Sequence, residues 1–157
     1  MPQQVQEALA TRANATDDVA RTVLFVCTGN TCRSPMAAAL FRHLHIKDGL
    51  HAASAGLSAI EGDPIAANAV RALHERGVIP SAENDYEHHT ARRLTQAMID
   101  SAFRVYALTS SHYMQLCLAF PESVGKLALL GEIPDPYGGD LSVYLHTLAM
   151  IEEALRG

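Results

Sequence analysis

An apolar, largely β-branched run, Thr22-Val23-Leu24-Phe25-Val26-Cys27, is followed after a short loop by a helical segment. That segment opens on Ser34-Pro35 and ends at Gly49. A run that is apolar on both alternations suits a strand covered on both faces, and a helix starting so soon after it is the first half of a strand-helix-strand crossover. Proline in the first turn and glycine past the last fit that helix. The pattern recurs. Leu50–Gly56 reads as a second strand, and the stretch 63–77 as a helix capped by Asp63, with Pro64 in its first turn and Gly77 closing it. Thr95 caps a short helix through Ala102, and Phe103–Thr109 makes a third strand. Ser110–Phe120 is a helix stopped by Pro121, Lys126–Glu132 a fourth strand, and Leu141–Arg156 an amphipathic last helix. This alternation predicts an α/β fold: a three-layer sandwich with a four-stranded parallel sheet and helices on both faces. Ligands then bind outside the carboxyl ends of the strands.

The chain has 157 residues, enough for one domain with a substantial core, expected at 21–157 behind an N-terminal extension over residues 1–20, loosely helical or a flexible tail. Twelve basic residues against 17 acidic ones give a net charge of −5, which lacks the broad positive field of a nucleic-acid binder. No apolar run approaches the length of a membrane span, and the first residues lack a basic start followed by an apolar stretch, so the expected location is the cytoplasm with no membrane partner. Three cysteines, an odd number, do not form a secreted disulfide framework. Cys117 reads as a small buried hydrophobe within a helix. Two thiols in one loop without third and fourth ligands, and histidines scattered without paired spacing, argue against a metal site.

Chemistry is therefore sought in the loop after the first strand, Cys27-Thr28-Gly29-Asn30-Thr31-Cys32-Arg33-Ser34-Pro35. Amides at a helix start face the loop, the helix dipole favours an anion, and Gly29 lets the backbone curl into a nest. Arg33 adds a planar fork matched to phosphate oxygens. Cys27 lies in the same field, which favours the thiolate over the thiol and supplies a nucleophile at neutral pH. The nucleotide P-loop and dinucleotide fingerprints are both absent.

This Cys-x5-Arg-Ser loop between first strand and first helix resembles that of the low-molecular-weight protein tyrosine phosphatases. Asp135-Pro136-Tyr137 resembles the family's general-acid loop, and Ser54-Ala55-Gly56 and His89-Thr90-Ala91-Arg92 its supporting segments. The resemblance spans about residues 22–156 by inspection of these motifs. It implies hydrolysis of a phosphorylated side chain on a protein through a phosphocysteine on Cys27, with inorganic phosphate as product and no cofactor. Arg33 and the loop from Thr28 to Ser34, Gly29, Asn30, Thr31 and Cys32 included, hold the phosphate. Asp135 protonates the leaving group and then activates water, and Ser34 eases departure of the thiolate. Asn30, Ser54 and His89 hold the loop in shape, and Tyr137 walls the mouth.

Taken alone, Asp135-Pro136 reads as a turn starter and His89 as a surface residue, so those roles rest on the resemblance. Arg92-Arg93 reads as a solvated approach to a helix. Thr31, where typical tyrosine phosphatases carry a larger aliphatic, and Gly138-Gly139 after the acid loop resemble the bacterial protein arginine phosphatases, although Tyr137 stands where their commoner residue is phenylalanine. The resemblance thus favours phosphoarginine, with Thr31 and Tyr137 setting specificity and phosphotyrosine as the alternative. Cys27 and Cys32 are also expected to form a redox pair. A thiol-linked arsenate reductase would need cysteines between residues 78 and 110, and a silent phosphoprotein-binding module would have lost Cys27, Arg33 or Asp135.

Overall fold

The computed structural model describes residues 21–157; the expected extension at 1–20 lies outside the described residues. Four strands, β1 (Thr22–Cys27), β2 (His51–Gly56), β3 (Arg104–Ala107) and β4 (Leu127–Leu129), form one sheet in the order β2-β1-β3-β4. All neighbouring pairs are parallel. Among the described residues five α-helices are interleaved: α1 (Arg33–His45), α2 (Ala67–Arg76), α3 (Gln96–Asp100), α4 (Ser110–Ala119) and α5 (Leu141–Arg156).

Alternate side chains of β1 feed two cores, as a strand covered on both faces must. Val23 and Phe25 join α1, α2 and α5 on one face, whereas Leu24 and Val26 join Ile99 and Leu116 of α3 and α4 on the other. Phe25 packs edge-on to Phe41 at 5.7 Å and stacks on Tyr106 at 6.0 Å, which ties α1 and β3 to the central strand. Arg76 Nε and Nη2 donate to the two oxygens of Glu152 at 2.6 and 2.7 Å, fastening α2 to α5. This is the three-layer parallel sandwich expected from the alternation of strands and helices.

Strand order reverses at β1, whose partners β2 and β3 lie on opposite sides. The register sets Cys27 beside Gly56 and Val26 beside Ala107. The loops that follow β1, β2, β3 and β4 therefore gather at one edge, the place such sheets reserve for ligands.

The expected start of α2 is corrected. The helix begins at Ala67 with Ala66 as its N-cap and no side-chain cap, so Asp63 caps nothing and Pro64 precedes the helix. Residues 62–65 instead pair with 89–91: Gly62 and Ile65 donate to the carbonyls of Ala91 and His89, and Ala91 N donates to Asp63 O at 2.7 Å. Backbone bonds to a distant segment outweigh the local capping signal. Thr95 does cap its helix, accepting from Met98 N. Cys117 is half-buried at the edge of a core rather than within it. Arg92 and Arg93 expose their side chains as expected, but their backbone is engaged: Arg92 O accepts from Gly56 N, and Arg93 N donates to Glu61.

Candidate active site

The loop between β1 and α1 encloses a cavity of about 240 Å³, lined by Cys27, Thr28, Gly29, Asn30, Thr31, Cys32 and Arg33 and, from other loops, Ser58, Ile60, Asp63, Asp135 and Tyr137. Cys32 precedes α1 and no side chain caps the helix, so its leading amides are left to whatever occupies the cavity. Cys27 is only 2% exposed. Its sulfur lies 2.9 Å from Ser34 Oγ.

The proton arrangement behind that contact follows from Asn30. Its Oδ1 accepts from Arg92 N at 2.9 Å, which fixes the amide so that Nδ2 donates to Ser34 Oγ at 2.8 Å and to Ser54 Oγ at 3.0 Å. Ser34 thus receives a hydrogen bond and keeps its own hydrogen available for the sulfur. His89 Nε2 donates to the carbonyl of Asn30 at 2.9 Å. The structure brings Asn30, Ser34, Ser54 and His89 together around the loop. Ser34 stands behind Cys27 rather than on the cavity wall.

Asn30, not Gly29, takes the left-handed backbone conformation, with φ of 59°. Asparagine tolerates that region better than most residues, and here all its side-chain polar groups are bonded as well. Gly56 is needed for a different reason, because a Cβ there would fall 2.5 Å from Thr28 O and 3.1 Å from Asn30 Cβ. The end of β2 is a surface against which the loop is moulded, and Leu57 and Ser58 extend that contact by donating to the carbonyls of Cys27 and Thr28.

Arg33 is buried, and its Nη1 donates to Ile133 O at 3.1 Å, which aims the guanidinium along the cavity. Its Nη2 lies 3.8 Å from Asp135 Oδ2, a loose ion pair in which the aspartate side chain is 55% exposed. Asp135 Oδ1 accepts from Tyr137 N at 3.1 Å, so the carboxylate starts a turn and faces the cavity at once. The glycine pair that follows has a local reason: Gly138 has φ of 81°, and a Cβ on Gly139 would meet Val143 Cβ at 2.9 Å. Tyr137 is 79% exposed at the mouth, with exposed Ile60 beside the same cavity.

Cys32 Sγ lies 3.3 Å from Tyr144 Oη. Burial pushes both groups up, so at neutral pH they are thiol and phenol. The residue expected to pair with Cys27 on oxidation therefore starts as a buried thiol engaged with Tyr144 of α5.

His112 carries no sequence signal beyond being one of eight histidines, yet from α4 it meets the loop at Thr28. Its Nε2 is 2.8 Å from Thr28 Oγ1 and its Nδ1 3.0 Å from Thr109 Oγ1. Thr109 Oγ1 already accepts from His112 N, so its hydroxyl hydrogen can go to Nδ1 while Nε2–H donates to Thr28. Burial, reinforced by Arg33, lowers the imidazole from 6.5 to about 4. The folded form therefore holds it neutral while the unfolded chain takes up a proton first, and stability falls as pH drops from about 6.5 towards about 4. His89, also lowered by burial, acts in the same direction. The melting temperature should fall across that window in the parent and fall less steeply in His112→Asn; identical slopes would remove His112 from the account.

Residues 22–157 match the family described as low molecular weight phosphotyrosine protein phosphatase. The chain belongs to this family. Its loop from Cys27 to Arg33 is the Cys-x5-Arg loop of a cysteine-dependent phosphoprotein phosphatase. A protein-arginine-phosphatase of Geobacillus stearothermophilus is 39% identical over 130 residues, 78% of this chain and 82% of that protein. The solved YwlE arginine phosphatase of the same species is 36% identical with a TM-score of 0.77, covering 87% of this chain and 88% of that one. A low molecular weight protein tyrosine phosphatase from T. tengcongensis gives the same score at 36% identity, covering 86% and 95%. Solved structures of both descriptions thus share this fold.

Proposed function

We propose that the chain hydrolyses phosphoarginine on proteins through a phosphocysteine on Cys27. Thr31 on the cavity wall is the observation that carries this reading. A hydroxyl there suits a flexible guanidinium, which donates hydrogen bonds, better than it suits a rigid apolar ring. The Geobacillus relative, named a protein-arginine-phosphatase, supports the same choice.

The chemistry follows from the groups at hand. The thiolate of Cys27 attacks phosphorus in line with the phosphorus–nitrogen bond, while the α1 amides and the Arg33 fork take up charge on the three equatorial oxygens. Asp135 gives its proton to the departing guanidine nitrogen. Water then attacks the phosphocysteine, Asp135 recovers a proton from it, and the sulfur leaves as a thiolate held by Ser34 O–H. No metal or cofactor enters either step. No helix among the described residues is long and apolar enough to cross a membrane. Three free thiols fit a reducing compartment, and the proposal places the protein in the cytoplasm.

Exposed Tyr137 and Ile60 at the mouth favour a second reading, since two apolar walls also suit an aryl ring. Thr31→Ile separates the two. It removes a hydrogen-bonding group and adds an apolar face, so kcat/KM for a phosphoarginine protein should fall by roughly tenfold to a hundredfold, the equivalent of a bond to a charged group. Turnover of phosphotyrosine should hold or rise. A parent enzyme that already prefers phosphotyrosine, or a ratio of the two that Thr31→Ile leaves unchanged, would return the chain to the tyrosine-phosphatase branch.

A further inference from the structure

The cavity contains one charge that the chemistry above does not use. Arg33 faces the phosphate and Asp135 moves the proton, but Asp63 also lines the cavity, half-buried, and none of the hydrogen bonds or ion pairs of the described residues engages its carboxylate. Its backbone is pinned: Asp63 N donates to Ile60 O at 3.1 Å, Asp63 O accepts from Ala91 N, and Pro64 bridges Thr90. The carboxylate is therefore carried on a fixed stretch of chain, not on a loose loop tip. For a site that binds a phosphate dianion, this is the wrong sign. Among the cavity's side chains it leaves Asp63 and Asp135 against the single cation Arg33. A second carboxylate weakens phosphate binding by like-charge repulsion unless the substrate brings a positive charge of its own.

We infer that Asp63 is a specificity-determining residue that pairs with the guanidinium of phosphoarginine and selects against neutral aryl phosphates. The inference rests on the phosphoarginine reading and adds to it a discriminating element from the loop after β2, built of repulsion as well as attraction. A guanidinium bonded directly to phosphorus stays inside the cavity with the phosphate, within the field of its walls. An aryl group offers Asp63 nothing, and the dianion it carries still meets the repulsion.

The test uses the full chain with three probes: a peptide whose only charged side chain is phosphoarginine, p-nitrophenyl phosphate, and inorganic phosphate as inhibitor. Asp63→Asn keeps the size of the side chain and removes its charge. It should lower kcat/KM for the phosphoarginine peptide by about tenfold, chiefly through KM, as expected for a lost bond to a charged group. It should raise kcat/KM for p-nitrophenyl phosphate and tighten inhibition by phosphate, each by a few-fold. Asp63→Ser, which removes the charge with a different shape, should give the same opposed signs. Changes of the same sign for both substrates, or no change in either, would overturn the role of Asp63 and leave the phosphoarginine reading standing. A parent that turns over only the aryl phosphate would overturn both.

Discussion

Replacing Cys27 with serine is expected to lower phosphate release by about 10⁴- to 10⁶-fold, the span seen when a nucleophile that works with its neighbours as a unit is removed. Binding should survive. On the proposed mechanism the amides of α1 and the guanidinium of Arg33 hold the anion, and the latter is fixed by Ile133 O, independently of the sulfur. A serine hydroxyl in place of the Cys27 thiol would also face Ser34 Oγ, whose hydrogen bond eases departure of a thiolate but cannot make an alcohol an equal nucleophile at neutral pH. Calorimetric titration with inorganic phosphate should give an affinity close to the parent's while turnover of phosphoprotein is lost. Substantial turnover in Cys27→Ser would mean that water attacks the substrate directly and that no phosphocysteine forms.

Asp135→Asn should slow substrates with poor leaving groups by roughly 10²- to 10⁴-fold, the contribution of a positioned acid or base. The geometry separates this role from that of a turn residue. The amide oxygen of the substituted side chain could still accept the hydrogen bond of Tyr137 N, so the turn should persist and melting should change little. What is lost is the proton. A guanidine nitrogen or an alkyl oxygen needs protonation to depart and should show the full effect, whereas p-nitrophenolate leaves unaided and should show little in the first step. An equal, small effect across that series would reduce Asp135 to its part in the turn.

The sheet was legible because β1 is apolar on both alternations and the strands alternate with helices that carry their own stop signals, such as Gly49 or Pro121. The anion loop was legible because Cys27, Arg33 and Ser34 lie within eight residues of one another, where sequence spacing and spatial spacing nearly coincide. What escaped depends on contacts between distant segments. Asp63 before Pro64 and an alanine-rich helix has every local mark of a cap, and only the pairing with residues 89–91 takes its backbone away. That same pairing sets His89 beneath Asn30, which is why a histidine with the look of a surface residue becomes a support. His112 gained its importance 84 residues from Thr28, and no periodicity announces a contact at that range. The left-handed conformation of Asn30 carried no sequence mark, because what holds it is four hydrogen bonds, three of them to the distant residues Ser54, His89 and Arg92.

The absent side chain at Gly56 sets a condition on anyone who wishes to transplant this catalytic loop. The nine residues from Cys27 to Pro35 are short enough to splice into another strand-helix junction, but their curvature is impressed from outside, by a strand end with no room for even a methyl group and by an amide at 92 that orients Asn30. A graft of the loop alone would carry the reactive groups without the mould that shapes them. Libraries that vary this enzyme's selectivity are therefore better aimed at rim positions such as Asp63 and Tyr137, while Gly56, Asn30 and their partners are kept as a single inherited unit.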